Sequence, residues 1–182
     1  MDWYVADKDY VNYLCEFDQR VGYIEYGSRL KLHIGIILEV NEYKYYVPIS
    51  SPKTKHKNMK NNLDFQKIQD LETGELYAVI NINNMIPIPE NFIKKIKYNE
   101  IENYRTFEEE KDKDNYIYLL QKEKKIIDTI EENIQKKAQK LYNKCVKSPE
   151  SMLAKRCCKF SLLEKKCTEY DEIYKKDKNC SE

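Results

Sequence analysis

The chain has 182 residues, with 32 basic and 31 acidic side chains that leave a formal charge of +1 at pH 7. This balance excludes a global positive field that would draw the protein onto nucleic acid, so any site for a polyanion must come from local clustering of charge. Only four glycines are present, and the glycine-rich phosphate loops of nucleotide-binding proteins are absent. No apolar run approaches the roughly 20 residues of a membrane helix, and the first residues lack a signal-peptide pattern. These features predict a soluble, cytoplasmic protein.

The first elements in chain order are a short strand and a helix. Trp3-Tyr4-Val5 is typical of a strand, and Asp7 or Asp9 is then placed to cap a helix from about Tyr10 to Phe17. Tyr10 lies near the start of this helix, either at the rim of a site or simply packed. Residues 18–29 are predicted to form a loop, and Lys31 leads into the next strand.

The two most strand-like runs follow, at His33–Val40 and Tyr45–Ile49. Both are dense in β-branched and aromatic residues, as expected for a buried hairpin. The polar segment 50–57 comes directly after the second run and would be mounted on this rigid pair of strands. Side chains that face solvent from such a loop are often functional.

Segment 50–57 concentrates phosphate-binding side chains. It contains the hydroxyls of Ser50 and Ser51, the ammonium groups of Lys53 and its neighbours, and the imidazole of His56. Ser-Ser-Pro-Lys is also an ordinary turn sequence, and lysine is abundant throughout the chain. The residues alone therefore leave two interpretations open, a structural turn and a site that binds phosphate. Residues 56–64 are expected to form an exposed basic loop.

The rest of the chain predicts further strands and then helices. Strands are expected at Phe65–Ile68 and Leu76–Ile82, with an edge segment at Met85–Pro89. Apolar residues recur at intervals of three and four from Lys113 to Lys147, which predicts one long amphipathic helix. Ser161 and Glu164 fit an S-x-x-E capping box before a final helix.

Histidine and cysteine do not indicate a metal site. His33 and His56 could form an acid/base pair, but His33 lies in an apolar run and is expected to be packed. No other ligand stands at metal-binding spacing from either histidine. The six cysteines, which include Cys180, are expected to be free thiols. The sequence predicts neither a metal nor another cofactor.

Several separated stretches together resemble the toxins of type III toxin–antitoxin systems, the ToxN/AbiQ/CptN-type endoribonucleases. The stretches occur in the family's order and span most of the chain. They are Tyr10 with Leu14-Cys15-Glu16-Phe17-Asp18, Ile34-Gly35-Ile36-Ile37-Leu38-Glu39, Ser51-Pro52-Lys53 with His56, Ile80-Asn81 through Met85-Ile86-Pro87-Ile88, and Phe160-Ser161-Leu162-Leu163-Glu164.

The resemblance implies a fold and an activity. The implied fold is α+β, a twisted antiparallel sheet with an SH3-like, MazF/Kid-type barrel core surrounded by helices. The chain would be a single domain over residues 1–182, mainly sheet in 1–98 and mainly helical in 99–182. The implied activity is sequence-preferring, metal-independent cleavage of cellular or phage RNA that leaves a 2′,3′-cyclic phosphate. A repeated pseudoknot RNA would be processed by the toxin and would inhibit it in a closed heteromeric complex, with a role in phage defence.

The resemblance also implies which residues act. The catalytic cluster of the family falls on Tyr10, Lys31, Ser50, Ser51 and Lys53. Lys53 would stabilise the charge of the phosphorane, the two serines would position the phosphate, and Tyr10 with Lys31 would assist charge or proton transfer. Residues expected to contact RNA are Tyr26, Lys55, His56 and Lys57.

Three other functions remain open at this stage. One is a MazF-like nuclease controlled by a protein antitoxin. Another is a non-catalytic RNA-binding module, in which basic residues grip phosphates and tyrosines stack on bases. The last is a structural interaction protein built on the long helix.

Overall fold

The computed structural model describes residues 1–179 and is an α+β fold with one large antiparallel sheet and a long helix. Residues 1–98 supply the strands, and residues 99–179 supply the two long helices α3 and α4. The strands are β1 Asp2–Ala6, β2 Glu25–Tyr26, β3 Arg29–Leu30, β4 His33–Val40, β5 Tyr43–Ser50, β6 Phe65–Gln69, β7 Leu76–Asn81, β8 Ile86–Pro87 and β9 Ile93–Lys95. The helices are α1 Lys8–Phe17, α2 Thr54–Asn58, α3 Glu110–Lys147 and α4 Phe160–Asn179. Short 3₁₀ turns lie at Gln19–Val21, Ile82–Asn84, Glu90–Phe92, Tyr98–Asn103 and Ala154–Arg156.

The main sheet is open and antiparallel. Its strand order over the described residues is β6-β7-β5-β4-β1-β9, with β8 paired to β5 away from this path. The predicted antiparallel sheet and long helix are confirmed, whereas closure of the sheet into a barrel is not seen. Strand β9 and the small β2–β3 hairpin lie in segments for which the sequence pattern predicts no strand.

The hairpin of β4 and β5 forms the centre of the sheet. A two-residue turn joins the strands, and Asn41 and Glu42 both have positive φ, as a turn matched to the twist of the strands requires. The register shifts between Ile34 and Leu38, and Gly35 lies within this irregularity. A Cβ at Gly35 would overlap the ring of Tyr46, so only glycine fits against the aromatic side chain there.

The helices cover the sheet with the apolar faces that their periodicity predicts. Helix α1 begins at the expected cap, where Asp7 Oδ1 accepts a hydrogen bond of 2.9 Å from the backbone N–H of Tyr10. Helix α3 extends three residues further toward its N-terminus than predicted and ends at Lys147, with the expected Ser148 as its C-cap. No helix within the described residues is both long and apolar enough to cross a membrane.

The predicted capping box of α4 is wrong. The helix begins at Phe160, one residue before Ser161, so Ser161 already lies in its first turn. The Glu164 carboxylate is buried and accepts hydrogen bonds of 2.8 Å from the hydroxyls of both Tyr45 and Tyr142. Glu164 therefore ties α4 to β5 and α3 instead of capping its own helix. The five described cysteines are free thiols, and Cys180 lies outside the described residues.

Candidate functional site in a cationic cleft

A cleft of about 400 Å³ opens between the β2–β3 hairpin, the C-terminal end of β5 and helix α3. It brings together side chains from both halves of the chain, which are far apart in sequence. The lining residues that bear charged or polar groups are Tyr26, Arg29, Lys31, Ser50, Ser51, Lys53, Tyr77, Arg105, Tyr116 and Glu123.

Strand register explains why Lys31 lies beside the serines. His33 pairs with Pro48 across β4 and β5, and the backbone N–H of Ile49 donates to the carbonyl of Leu32 at 3.0 Å. Continuing this antiparallel register by one residue places Lys31 opposite Ser50. The predicted neighbours Lys31 and Ser50 therefore meet at the same end of the hairpin.

The backbone of Lys53 is fixed by His56. The N–H of Lys53 donates to His56 Nδ1 at 3.0 Å, and the N–H of His56 donates back to the Lys53 carbonyl at 2.8 Å. His56 is only 6% exposed and packs against the ring of Phe65. The expectation that His56 lies in an exposed loop is thus wrong, because helix α2 turns its imidazole inward. Burial and the nearby ammonium groups of Lys55 and Lys53 lower the pKa of His56, which favours the neutral ring that can accept this hydrogen bond.

Four cationic side chains face the cleft, namely Arg29, Lys31, Lys53 and Arg105. Lys31 Nζ lies 5.4 Å from the centroid of the Tyr26 ring, and the Arg105 guanidinium lies 4.3 Å from that of Tyr116. These cation–π contacts orient the cations without neutralising them. The cleft is therefore a local positive site on a protein that is nearly neutral overall.

The predicted RNA-contact residues divide between this cleft and its surroundings. Tyr26 lines the cleft and is 45% exposed, so its ring is accessible for stacking. Lys57 instead lines a neighbouring groove of about 540 Å³, together with Lys67. Lys53 lines both cavities and connects them. Lys55 is exposed on α2 but lines neither.

Tyr10 is not brought into the cleft with the other predicted catalytic residues. Its side chain is 0% exposed, its hydroxyl donates to the carbonyl of Pro87 at 2.6 Å, and its ring packs against Phe92 and Tyr170. Burial raises the pKa of Tyr10 well above its ordinary value. These contacts favour a packing role over the proton transfer that the resemblance implies.

Tyr10→Phe distinguishes these two roles. We expect the variant to lose about 1 kcal/mol of unfolding free energy, because the Pro87 carbonyl loses a buried donor, and to cut RNA at nearly the wild-type rate. Urea unfolding and a cleavage time course measure both quantities. A large loss of cleavage in a variant of near-native stability would instead place Tyr10 in the chemistry.

Neither histidine lines the cleft. His33 is buried in β4, where its Nδ1 has no hydrogen-bond partner, and burial lowers the pKa of its imidazole to about 3. Because both rings are buried apart from the cleft, the histidine acid/base pair is not formed. Within residues 1–179, no group of three or more His, Cys, Asp and Glu side chains is placed to hold a metal ion.

Sequence patterns identified only part of the lining. The residues that they missed are Arg29, Tyr77, Arg105, Tyr116 and Glu123. A signal existed for Glu123, which follows Leu120 by three residues and precedes Ile127 by four. This position is within the apolar stripe of α3, where an ionisable residue is unusual. Arg105 lies in an irregular segment and has no such signal.

The family to which the chain belongs follows from its similarity to known proteins. A family model described as toxin ToxN of type III toxin–antitoxin systems matches residues 2–168. The chain belongs to the ToxN toxin family. Among curated relatives, it is 29% identical over 174 residues to the endoribonuclease ToxN of Pectobacterium atrosepticum, which covers 93% of this chain and 94% of the relative. It is 26% identical over 179 residues to the endoribonuclease AbiQ of Lactococcus lactis subsp. lactis, with 93% and 89% covered.

Solved structures agree with this membership. The fold matches that of a protein from a bacterial antiviral system regulated by a processed non-coding RNA, with a TM-score of 0.77, 29% identity, and coverage of 93% of this chain and 98% of the other. It also matches AbiQ, a lactococcal anti-phage endoribonuclease of a type III system, with a TM-score of 0.76, 24% identity, and coverage of 94% and 98%. At that lower identity the second match supports the fold alone.

Proposed function

We propose that this member of the ToxN family is a metal-independent endoribonuclease that cuts RNA by attack of the 2′-hydroxyl on the adjacent phosphorus. The observation that carries the proposal is the convergence of Lys31, Ser50, Ser51 and Lys53 in one cleft. RNA carries its own nucleophile, so the protein needs only to orient the attack, neutralise the phosphorane and move two protons.

Each group in the cleft has a chemical task in this reaction. The 2′-oxygen forms a bond to phosphorus, the bond from phosphorus to the 5′-oxygen breaks, and a 2′,3′-cyclic phosphate results. Lys53, with Lys31 nearby, stabilises the negative charge that develops on the phosphorane oxygens. The hydroxyls of Ser50 and Ser51 donate hydrogen bonds that position the scissile phosphate. Arg29 and Arg105 bind neighbouring phosphates.

The surroundings of the cleft suit a single strand of RNA. Tyr26 and Tyr77 line the cleft with aromatic rings on which bases can stack. The neighbouring groove continues past Lys53 to Lys57 and Lys67, which provides cations for the phosphates on one side of the cut. Lys55 and Lys57 would then contribute to RNA affinity, whereas His56 would fix the backbone of Lys53 through its hydrogen bonds.

Control by an RNA antitoxin is part of the proposal. Type III systems are the class to which the matched family is assigned, and a relative with the same fold acts in an antiviral system regulated by a processed non-coding RNA. We therefore propose that repeated pseudoknot RNA is processed and bound in a closed heteromeric complex in the cytoplasm. Its substrates would be cellular or phage RNA, and its biological role would be defence against phage.

Two structural details also belong to the proposal. We take the whole chain as one catalytic domain, because Arg105, Tyr116 and Glu123 from the helical half complete a cleft begun by the sheet half. We also propose that the sheet is a distorted relative of the SH3-like, MazF/Kid-type core. The antiparallel succession of β4, β5 and β7, with its irregular register in β4, supports this relation.

Cleavage of a mixed RNA ladder in EDTA tests the function directly. We expect the purified chain, freed of RNA, to produce fragments that end in 2′,3′-cyclic phosphate, and we expect Ser51→Ala to slow this cleavage by about 100-fold. Product ends are determined by mass spectrometry, and circular dichroism checks that the variant is folded. Binding of RNA without cleavage would indicate a non-catalytic module, and inhibition by a copurifying protein would indicate a protein antitoxin.

A further inference from the structure

Glu123 is a buried carboxyl that opens into the cleft without a protein partner. It is only 4% exposed overall, yet it lines the cleft from α3 beside Leu119 and Leu120. Among residues 1–179, no hydrogen bond or salt bridge reaches its carboxyl group. The carboxyl oxygens of Glu123 are not completely buried, in contrast to unpartnered polar atoms such as His33 Nδ1. The cleft is therefore the side from which this carboxyl can be reached.

Glu164, another buried glutamate of this protein, differs from Glu123 because its carboxylate has hydrogen-bond partners. Glu164 accepts hydrogen bonds from the hydroxyls of Tyr45 and Tyr142, so its burial is compensated by two donors. Glu123 has no such compensation, and burial raises its pKa to about 7. A buried, unpaired carboxyl costs stability, and such groups are concentrated at functional sites.

We propose that Glu123 is the general base that accepts the proton of the attacking 2′-hydroxyl. This inference rests on the proposed ribonuclease function and gives a role to a lining residue that the sequence patterns missed. In the step, the proton of the 2′-hydroxyl moves to Glu123 as the bond from oxygen to phosphorus forms. The departing 5′-oxygen receives a proton from a cationic side chain of the cleft or from water.

The composition of the cleft supports the choice of base over acid. Glu123 is the one carboxylate among the described lining residues, and the other ionisable groups that face it are cations or phenols. They are Arg29, Lys31, Lys53 and Arg105, with Tyr26, Tyr77 and Tyr116. These groups are N–H and O–H donors, whereas Glu123 is the lining residue whose carboxylate form can accept a proton.

The burial of Glu123 suits this task. Desolvation favours the neutral carboxyl and raises its pKa to about 7. A general base works best when its pKa lies near the pH of the reaction, because a useful fraction is then ionised and still basic. Tyr116 lies two helical turns before Glu123 on the same face of α3. Burial raises the pKa of Tyr116, and the nearby Glu123 carboxylate adds to this increase.

The pH profile of kcat/KM for a short RNA tests the proposal. We expect the wild-type rate to rise with pH, to reach half of its plateau near pH 7, where half of Glu123 is ionised, and to level off at higher pH. Glu123→Gln is nearly isosteric, and it should lower kcat/KM at pH 8 by about 100-fold and abolish this rise. Glu123→Asp should keep the rise at a reduced rate. Glu164→Gln makes the same substitution at a buried glutamate outside the cleft, so it should retain the wild-type profile.

A second substrate separates base from acid. RNA with a sulfur in place of the bridging 5′-oxygen has a leaving group that needs no protonation, so loss of a base should slow its cleavage as much as that of normal RNA. Rescue of Glu123→Gln by this substrate would overturn the assignment, and so would a variant that keeps the wild-type rise with pH. Absence of cleavage by the wild-type chain would instead refute the proposed function itself.

Discussion

Lys53→Ala is expected to reduce RNA cleavage by about 1000-fold while leaving the protein folded. Lys53 lines both cavities of the site, so we expect its ammonium group next to the phosphorane in the transition state. In the native chain the backbone N–H of Lys53 donates to His56 Nδ1 at 3.0 Å. The substitution keeps this N–H, so we expect the hydrogen bond to remain. The loss should therefore fall on kcat more than on KM, because the charge develops only in the transition state.

The control for Lys53→Ala is Lys165→Ala. Lys165 is an exposed lysine of α4 that lines neither cavity, and its contact with Glu169 is a surface ion pair of 4.0 Å, which contributes little to stability. We expect this variant to cut RNA at the wild-type rate. Single-turnover kinetics measure the effect on the chemical step. If Lys53→Ala cut RNA within a few-fold of the wild-type rate, Lys53 would be a binding residue, and another cation of the cleft would stabilise the phosphorane.

The parts of the fold that sequence patterns predicted are those specified by local periodicity. The alternation of β-branched and aromatic residues identified β4, β5 and β7, and spacings of three and four identified α3 nearly to its ends. Strand β9 has only three residues, and its pairing with β1 depends on tertiary contact instead of local propensity. Such short edge strands carry too little pattern to be recognised.

The sequence predicted those residues of the candidate site that lie in one loop, and the family resemblance added Lys31 from a neighbouring segment. Ser50, Ser51 and Lys53 lie in one segment, and Lys31 joins them through the register of β4 and β5. The predictions for Glu164 and Tyr10 differ from the structure. The sequence around Glu164 fits a helix cap, and the position of Tyr10 fits the rim of a site, but both side chains form buried hydrogen bonds. Only packing distinguishes these cases, since the partners Tyr142 and Pro87 are distant in sequence.

Arg105 and Glu123 show the limit of sequence patterns more generally. Arg105 reaches the cleft because its segment pairs with Arg29 of β3, a contact between residues that no local motif relates. Glu123 reaches it because one face of α3 runs along the cleft. Glu123 interrupts the apolar stripe by which α3 packs on the sheet. An ionisable residue within such a stripe therefore indicates a candidate site residue.

Glu123→Gln should stabilise the protein at pH 8 by up to about 3 kcal/mol. Burial raises the pKa of Glu123 from 4.5 to about 7, so between these values the folded chain holds a proton that the unfolded chain has lost. The contribution of Glu123 to stability is therefore most favourable below about pH 4.5 and declines as the pH rises through about 7, above which the full cost of the buried carboxylate is present. Glutamine never ionises, so the variant avoids this cost.

Urea unfolding of wild type and Glu123→Gln at pH 4.5 and pH 8 isolates this effect, because the difference between the two proteins cancels the titration of every other group. We expect the two to be nearly equal in stability at pH 4.5 and the variant to be more stable at pH 8. An equal difference at both values would show that the pKa of Glu123 is not raised. A variant that is more stable yet cleaves RNA poorly would show that the carboxyl is kept for chemistry at the expense of the fold.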